Sequence, residues 1–296
     1  MIESPRTLTD RLADTGYLAD DGLATTVFLA LRMGKPLFCE GEPGTGKTAL
    51  AVAVAQALDL QLIRLQCHEG IDASQALYDW DFPRQLLHLR TLEATSPGLA
   101  SAPAVDPAII ERSLYDERFL LDRPLLRALR ESPCVLLIDE IDRADDEFEA
   151  FLLQLLDENA VSIPELGEVS ATVPPMVVLT SNRTRDVHDA LKRRCLYHWL
   201  EHPNLAREIQ ILQSRLPELS ADLAGQVAAA VAAMRRMELL KPPGVAETLD
   251  WSRALLALDR PVLDAATAAR TLGAVLKYHE DADRVIAAGL DSLLAG

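Results

Sequence analysis

The run Gly41-Glu42-Pro43-Gly44-Thr45-Gly46-Lys47-Thr48 has the residue types and spacing needed to grip a polyphosphate. Its glycines permit tight turns that aim backbone N–H groups inward, and the helix that opens behind them adds its positive dipole end. At this spacing Lys47 reaches the β- and γ-phosphates, the Thr48 hydroxyl holds Mg²⁺, and Ala49 continues the first helical turn. The candidate nucleotide-binding residues are therefore Gly41, Glu42, Pro43, Gly44, Thr45, Gly46, Lys47, Thr48 and Ala49.

Three further groups suit chemistry on that polyphosphate. Val135 to Ile138 is an apolar strand pattern that ends in the adjacent carboxylates Asp139 and Glu140. Asp139 is suited to orienting the Mg²⁺ shell through water, and Glu140 to polarising an attacking water. Val177 to Ser181 is a second apolar strand, ending in Asn182, whose amide donates to a phosphate and accepts from water at once. Asp189 to Arg194 ends in Lys192, Arg193 and Arg194. A guanidinium fork there neutralises a transferring phosphoryl group, with Arg194 the first candidate and Arg193 the second. Each group alone has an ordinary structural reading: an acidic strand end, a turn-forming Asn, a solvated helix end. Behind a complete phosphate loop, the chemical reading is the stronger.

These groups need a sheet to hold them. Strand patterns fall at 37–40, Gln61 to Gln66, Cys134 to Asp139, Met176 to Ser181 and Cys195 to Leu200. Helical patterns lie before the first of them at 20–33 and between them at Thr48 to Leu58 and Ala144 to Asp157, the last with an apolar face of Phe148, Phe151, Leu152, Leu155 and Leu156. This alternation predicts an α/β fold with a five-stranded parallel sheet covered on both faces. Val161 to Ile163 and Val169 to Val173 flank a turn-rich Pro164-Glu165-Leu166-Gly167 and predict a hairpin. Less regular is 70–129, with an aromatic segment Tyr78 to Pro83, a short helical stretch Gln85 to Arg90, a Pro-rich surface loop at 94–107, and one helix over Leu114 to Arg130. From Leu205 onward the pattern is helical throughout, which predicts two domains, 1–203 and 204–296.

Composition narrows the function classes. The 296 residues carry 45 acidic and 29 basic side chains, a net charge of −16, with one local basic cluster at Lys192 to Arg194. That balance disfavours sequence-independent binding to nucleic acid. No apolar run approaches the ~20 residues of a membrane span, and the N-terminal MIESPRTLTD lacks an apolar signal region, so a soluble, cytoplasmic protein is expected. Cys39, Cys67, Cys134 and Cys195 are widely separated and read as reduced small hydrophobes. Cys67-His68-Glu69 is the one local group that could bind a soft metal.

In this order and spacing the four elements resemble the AAA+ ATPases. The resemblance implies a ring, expected to be a hexamer, that hydrolyses ATP with Mg²⁺. It also implies Asn182 as the sensor-1 residue, Arg194 as an arginine finger acting on a neighbouring subunit, and Arg253 in Leu249-Asp250-Trp251-Ser252-Arg253 as the sensor-2 residue on a helical lid. An insertion around 82–90 and the hairpin at 161–173 look like the MoxR group. Within it, LQCHEGIDASQALYDWDFPRQLLHLR, LLIDEIDRADDEFEAFLLQLL, IPELG and LTSNRTRDVHDALKRRCLYHW are similar to CoxD-type proteins of carbon monoxide dehydrogenase maturation. Such relatives act as chaperones with a von Willebrand factor A domain partner, which implies a protein client holding a metal centre, such as a molybdenum-containing enzyme. The alternative is a nucleic-acid motor or loader on the same core. The segment before the first strand is hard to align with the family pattern, so adenine contacts, for which Tyr17 and Leu18 are the candidates, are left unassigned. Trp80, Phe82, Glu165 and Leu166 face either a pore or client, or local core.

Overall fold

The computed structural model describes residues 2–95 and 113–294. Among the described residues, nine strands run in chain order as β1 Leu37–Gly41, β2 Gln61–Gln66, β3 Tyr78–Trp80, β4 Leu120–Asp122, β5 Cys134–Asp139, β6 Ala160–Ile163, β7 Gly167–Ser170, β8 Met176–Ser181 and β9 Leu196–Leu200. Five of them form one parallel sheet in the order β2-β5-β8-β1-β9. In β1, β5 and β8 every residue is buried, as expected of continuous apolar runs covered on both faces. Edge strand β2 alternates between exposed and buried side chains.

Successive residues of each strand feed opposite faces. On one face, Phe38, Leu136, Ile138, Val177 and Leu179 pack with Phe148 and Leu152 of the helix Asp146–Glu158. On the other, Leu37, Cys39, Val135, Leu137 and Val178 meet Val27 of the helix Asp21–Met33 and Leu50 and Val54 of the helix Lys47–Leu58. The latter helix has apolar residues on most sides because it lies against the sheet and is itself covered by the helix Pro5–Asp14. Its start is the point where β1 delivers the chain into the phosphate loop.

Helices from Leu205–Arg215 to Leu290–Leu294 enclose a separate cluster around Trp251, Met234 and Leu272, with the Trp251 indole donating to Thr271 Oγ1 at 2.7 Å. A buried polar knot shapes the part nearest the sheet. Arg235 donates to both Glu208 carboxylate oxygens at 2.7 and 2.8 Å and to the Pro243 carbonyl at 2.7 Å, while Thr248 donates to Glu208 at 2.8 Å. The turn so fixed seats Gly244 against the phosphate loop: Val245 N–H donates to the Gly44 carbonyl at 2.9 Å, and a Cβ on Gly244 would lie 2.6 Å from Gly44 Cα.

The region 70–129 departs from the expected pattern. The single helix over Leu114 to Arg130 is replaced by a 3-10 turn at Glu117–Phe119, strand β4 and a helix at Pro124–Arg130. Pro124 has no N–H to continue a helix from upstream and takes the first position of a new one. The freed residues pair antiparallel with β3, Tyr78 opposite Asp122 and Trp80 opposite Leu120. The helix expected at 85–90 runs over Phe82–Thr95. The expected hairpin forms between β6 and β7, and its second strand stops at Ser170. From residue 96 on, the Pro-rich stretch lies outside the described residues.

Candidate functional site

At the C-terminal edge of the sheet, β1, β5 and β8 end side by side and the phosphate loop turns above them. Gly44 at φ 78° and Gly46 at φ 95° occupy backbone space that a side chain would strain. Lys47 folds back under the loop, its ammonium donating to the carbonyls of Gly41 at 2.8 Å and Glu42 at 2.7 Å. Burial pushes its pKa below the ordinary lysine value, partly offset by Asp142. Thr45 donates to the Glu42 carbonyl at 2.9 Å and braces the turn.

Thr48 and Asp139 meet although they are far apart in sequence: the hydroxyl lies 3.0 and 3.2 Å from the two carboxylate oxygens. Hydroxyl and carboxylate oxygens held together are the hard donors that Mg²⁺ prefers, so this pair fits the ion the fold implies. Asp139 also accepts from Thr180 at 2.5 Å and from the Arg64 guanidinium at 2.6 Å.

Glu140 sits at φ 56°, a left-handed conformation that costs free energy in a residue with a side chain. The strain is held by a neighbour, since its N–H donates to Thr180 Oγ1 at 2.9 Å. One hydroxyl therefore holds the Asp139 carboxylate and the Glu140 backbone. The Glu140 carboxylate accepts from the Asn182 amide at 3.3 Å, the Gln66 amide at 3.0 Å and Arg143 at 3.4 Å. Asn182 is placed in turn by Asp142, which accepts from the Asn182 N–H at 3.2 Å and from the Thr184 N–H and hydroxyl at 2.9 and 2.7 Å.

Thr180, Asp142, Arg64 and Gln66 escaped the sequence reading. The available signals were weak: a hydroxyl inside an otherwise apolar strand, an acid three residues past Asp139, and two polar residues on one face of β2.

A cleft of about 1270 Å³ joins these groups to the rest of the chain. The phosphate loop, Asp139, Glu140 and Asn182 line it together with Tyr17, Leu18, the segment 198–204 and the first turns of the helix Val245–Ala257 through Val245, Ala246 and Leu249. Burial raises the Tyr17 phenol above its ordinary pKa, which keeps it neutral. His202 lies 3.0 Å from Glu42, and burial holds its pKa below the ordinary histidine value.

The remaining predicted residues do not line this cleft. Arg194 ends the helix Asp189–Arg194 and forms an ion pair with Asp157, both in contact with solvent; Arg193 is exposed beside it. The helix itself is anchored through buried Glu149, which accepts from the His188 N–H at 2.7 Å and from Arg185. Arg253 pairs with Asp250 at 3.0 Å on an exposed helix face, one turn beyond Leu249. Trp80 is local core, edge-on to Tyr115 at 5.3 Å, whereas Phe82 is 62% exposed. Leu166 packs against the core and Glu165 is exposed.

All four cysteines are free and buried, and burial pushes the Cys67 thiol up to about 12. His68 and Glu69 are exposed beside it. Among the described residues no group of three or more His, Cys, Asp or Glu side chains could hold a metal ion, so the Cys67-His68-Glu69 alternative finds no support. No helix among them is long and apolar enough to cross a membrane.

Among known proteins, the chain is similar to Uncharacterized protein SAB1265c of Staphylococcus aureus, 24% identical over 193 residues that make up 61% of this chain and 63% of that protein. It is equally similar to Uncharacterized protein SSP1341 of Staphylococcus saprophyticus, 24% identical over 190 residues and 62% of each chain. The match thus spans under two thirds of the length of these relatives. Among solved structures, the Thermotoga maritima RuvB Holliday junction branch migration motor aligns with 89% of this chain and 68% of its own at 14% identity and a TM-score of 0.45. A mutant RuvB of the same organism gives 92%, 70%, 14% and 0.47. The family model "ATPase family associated with various cellular activities (AAA)" matches residues 37–200, which run from the first residue of β1 to the last of β9 and carry every polar group at the strand ends just described. More than half of the chain lies within that match, and the chain belongs to the AAA ATPase family.

Proposed function

We propose that this protein hydrolyses ATP to ADP and phosphate in a ring of identical subunits and uses the cycle to remodel a protein client. One observation carries the hydrolytic part: the Glu140 carboxylate, beside the Thr48–Asp139 pair, is held by the Asn182 amide at 3.3 Å. A bound Mg²⁺ supplies neutralisation of the phosphate oxygens, with Thr48 and Asp139 as its holders. Lys47 exchanges its two loop carbonyls for phosphate oxygens. Glu140 orients water and takes its proton, and Asn182 aligns that water with the terminal phosphate. Arg194, or Arg193 beside it, completes the charge at a neighbouring subunit's phosphate, since neither lines the cleft of its own chain. Arg253, one turn beyond the cleft-lining Leu249, is the sensor-2 candidate on its helix.

The finer assignment rests on the similarity of the quoted runs to the MoxR group and CoxD-type proteins. It comprises a cytoplasmic hexamer with lid domain 204–296, a von Willebrand factor A domain partner and a metalloenzyme client. The acidic balance of −16 favours a protein client over nucleic acid. The test is Glu140→Gln: ATP binding should persist while turnover falls by about 10²–10⁴-fold, the usual worth of a general base. Parallel loss of binding would mean that Glu140 is structural. Capture of clients on the ATP-bound variant identifies the partner, and stimulation of turnover by DNA or RNA at physiological salt would overturn the protein-client reading.

A further inference from the structure

Arg64 is an edge-strand arginine with an unusual partner. In β2, register places Gln66 opposite Asp139, so Arg64 and Gln66 share one face and both reach the end of β5. The Arg64 guanidinium lies 2.6 Å from Asp139 Oδ2, an oxygen that also lies 3.2 Å from the Thr48 hydroxyl. Asp139 is almost fully buried and Arg64 is 51% exposed, so the charge on Asp139 is answered by a side chain free to swing into solvent. The same Nη2 donates to Gln66 Oε1 at 2.5 Å, and the Gln66 amide donates to Glu140 at 3.0 Å. A continuous chain of polar contacts therefore runs from the carboxylate that fits Mg²⁺, through Arg64 and Gln66, to the proposed base.

Resting on the nucleotide reading above, we infer that Arg64 is a resident cation that competes with Mg²⁺ for Asp139. Two cations on one buried carboxylate repel, so the guanidinium leaves when the ion arrives with ATP. An exposed side chain leaves at little cost, because water resolvates it. Its departure removes the partner of Gln66 Oε1 and loosens the hold on Glu140. Mg²⁺ arrival is thus reported to the base through two side chains of β2. Until the ion displaces it, the same pair spares Asp139 an uncompensated buried charge. Arg64 is a positioning residue in this scheme and touches no phosphate.

The experiment is a titration of fluorescent ATP binding against Mg²⁺ on the full chain, comparing the parent with Arg64→Ala and Arg64→Lys. Binding by the parent at saturating Mg²⁺ tests the nucleotide reading on its own. With Arg64→Ala, the Mg²⁺ concentration giving half-maximal binding should fall by roughly threefold to tenfold, the worth of one charge-assisted contact to a half-exposed group. Affinity at saturating Mg²⁺ should be unchanged. Arg64→Lys keeps the charge and should stay near the parent midpoint. An unchanged or raised midpoint in Arg64→Ala overturns the competition. Weaker binding at saturating Mg²⁺ does so as well, because it would make Arg64 a phosphate contact.

Discussion

The ends of β5 and β8 and the end of the helix Asp189–Arg194 both carry charged residues, yet they are built in opposite ways. Asp139 and Glu140 share Thr180, Asn182 donates to Glu140 and is itself held by Asp142, and all face a cleft within the same chain. Arg193 and Arg194 stand at a surface, on a helix anchored from below by Glu149, with Asp157 as the exposed partner of Arg194. The first arrangement is preorganised: Thr180 holds Asp139 and the Glu140 backbone, and the Asn182 amide already meets Glu140. The second is a rigid platform with a movable charge at its tip. A half-exposed ion pair such as Arg194–Asp157 contributes about 0–1 kcal/mol, so exchanging Asp157 for a phosphate costs little. On the proposed reading, the basic end serves a phosphate held outside its own chain.

The sharpest way to break that contrast is Arg194→Ala. ATP affinity should be preserved and turnover should drop by about 10³-fold or more, the range for an arginine finger. Mixing with Lys47→Ala subunits, which bind no nucleotide and keep their own arginine, should restore part of the rate. Full activity in Arg194→Ala would shift the role to Arg193. Loss without rescue on mixing would return the arginine to its own chain's site.

Thr180→Val probes the other half with a smaller effect. The substitution keeps shape and removes the hydroxyl that donates to Asp139 and accepts from the Glu140 N–H. A buried N–H left without its acceptor costs roughly 1–3 kcal/mol. Stability to urea should fall by about that amount, with turnover falling alongside as Glu140 leaves its left-handed conformation. Thr180→Ser should behave as the parent. A stable, fully active Thr180→Val protein would show that the cleft is not preorganised by this hydroxyl.

The same contrast explains how much the sequence discloses. The central strands β1, β5 and β8 are largely apolar runs and could be read directly, the edge strands β2 and β9 mix exposed and covered residues yet still stand out between turns and helices, and chemistry at such strands gathers at their C-terminal ends. Asp139, Glu140 and Asn182 each follow such a run. β3 and β4 are three residues each, too short to show a period, and the leucines at 125, 126 and 129 lend the neighbouring stretch a helical spacing that Pro124 cuts off. Arg64, Thr180 and Asp142 acquire their roles only through contacts made across strands, which no local pattern encodes. The knot of Glu208, Arg235 and Thr248 is spread over three helices and was equally hidden.

The smallest expected effect separates the two halves by pH. His198 and His202 both line the cleft, and burial, the dominant cause for each, lowers both pKa values below the ordinary 6.5. Asp20 opposes the shift at His198; at His202, Arg235 adds to it while Glu42 and Glu208 oppose it. A histidine with a depressed folded pKa binds fewer protons folded than unfolded, so stability is present above about pH 6.5 and is lost as pH falls through the folded value. The basic helix end lies outside the cleft and should stay unchanged. Melting temperature should therefore fall by about 1–3 °C between pH 7.5 and pH 5.5, an effect kept small by partial exposure. His202→Gln should flatten that slope, whereas Arg194→Ala should leave it intact. Equal slopes in the parent and His202→Gln would remove His202 from the acid sensitivity, and a slope altered by Arg194→Ala would mean that the two halves are coupled within one chain.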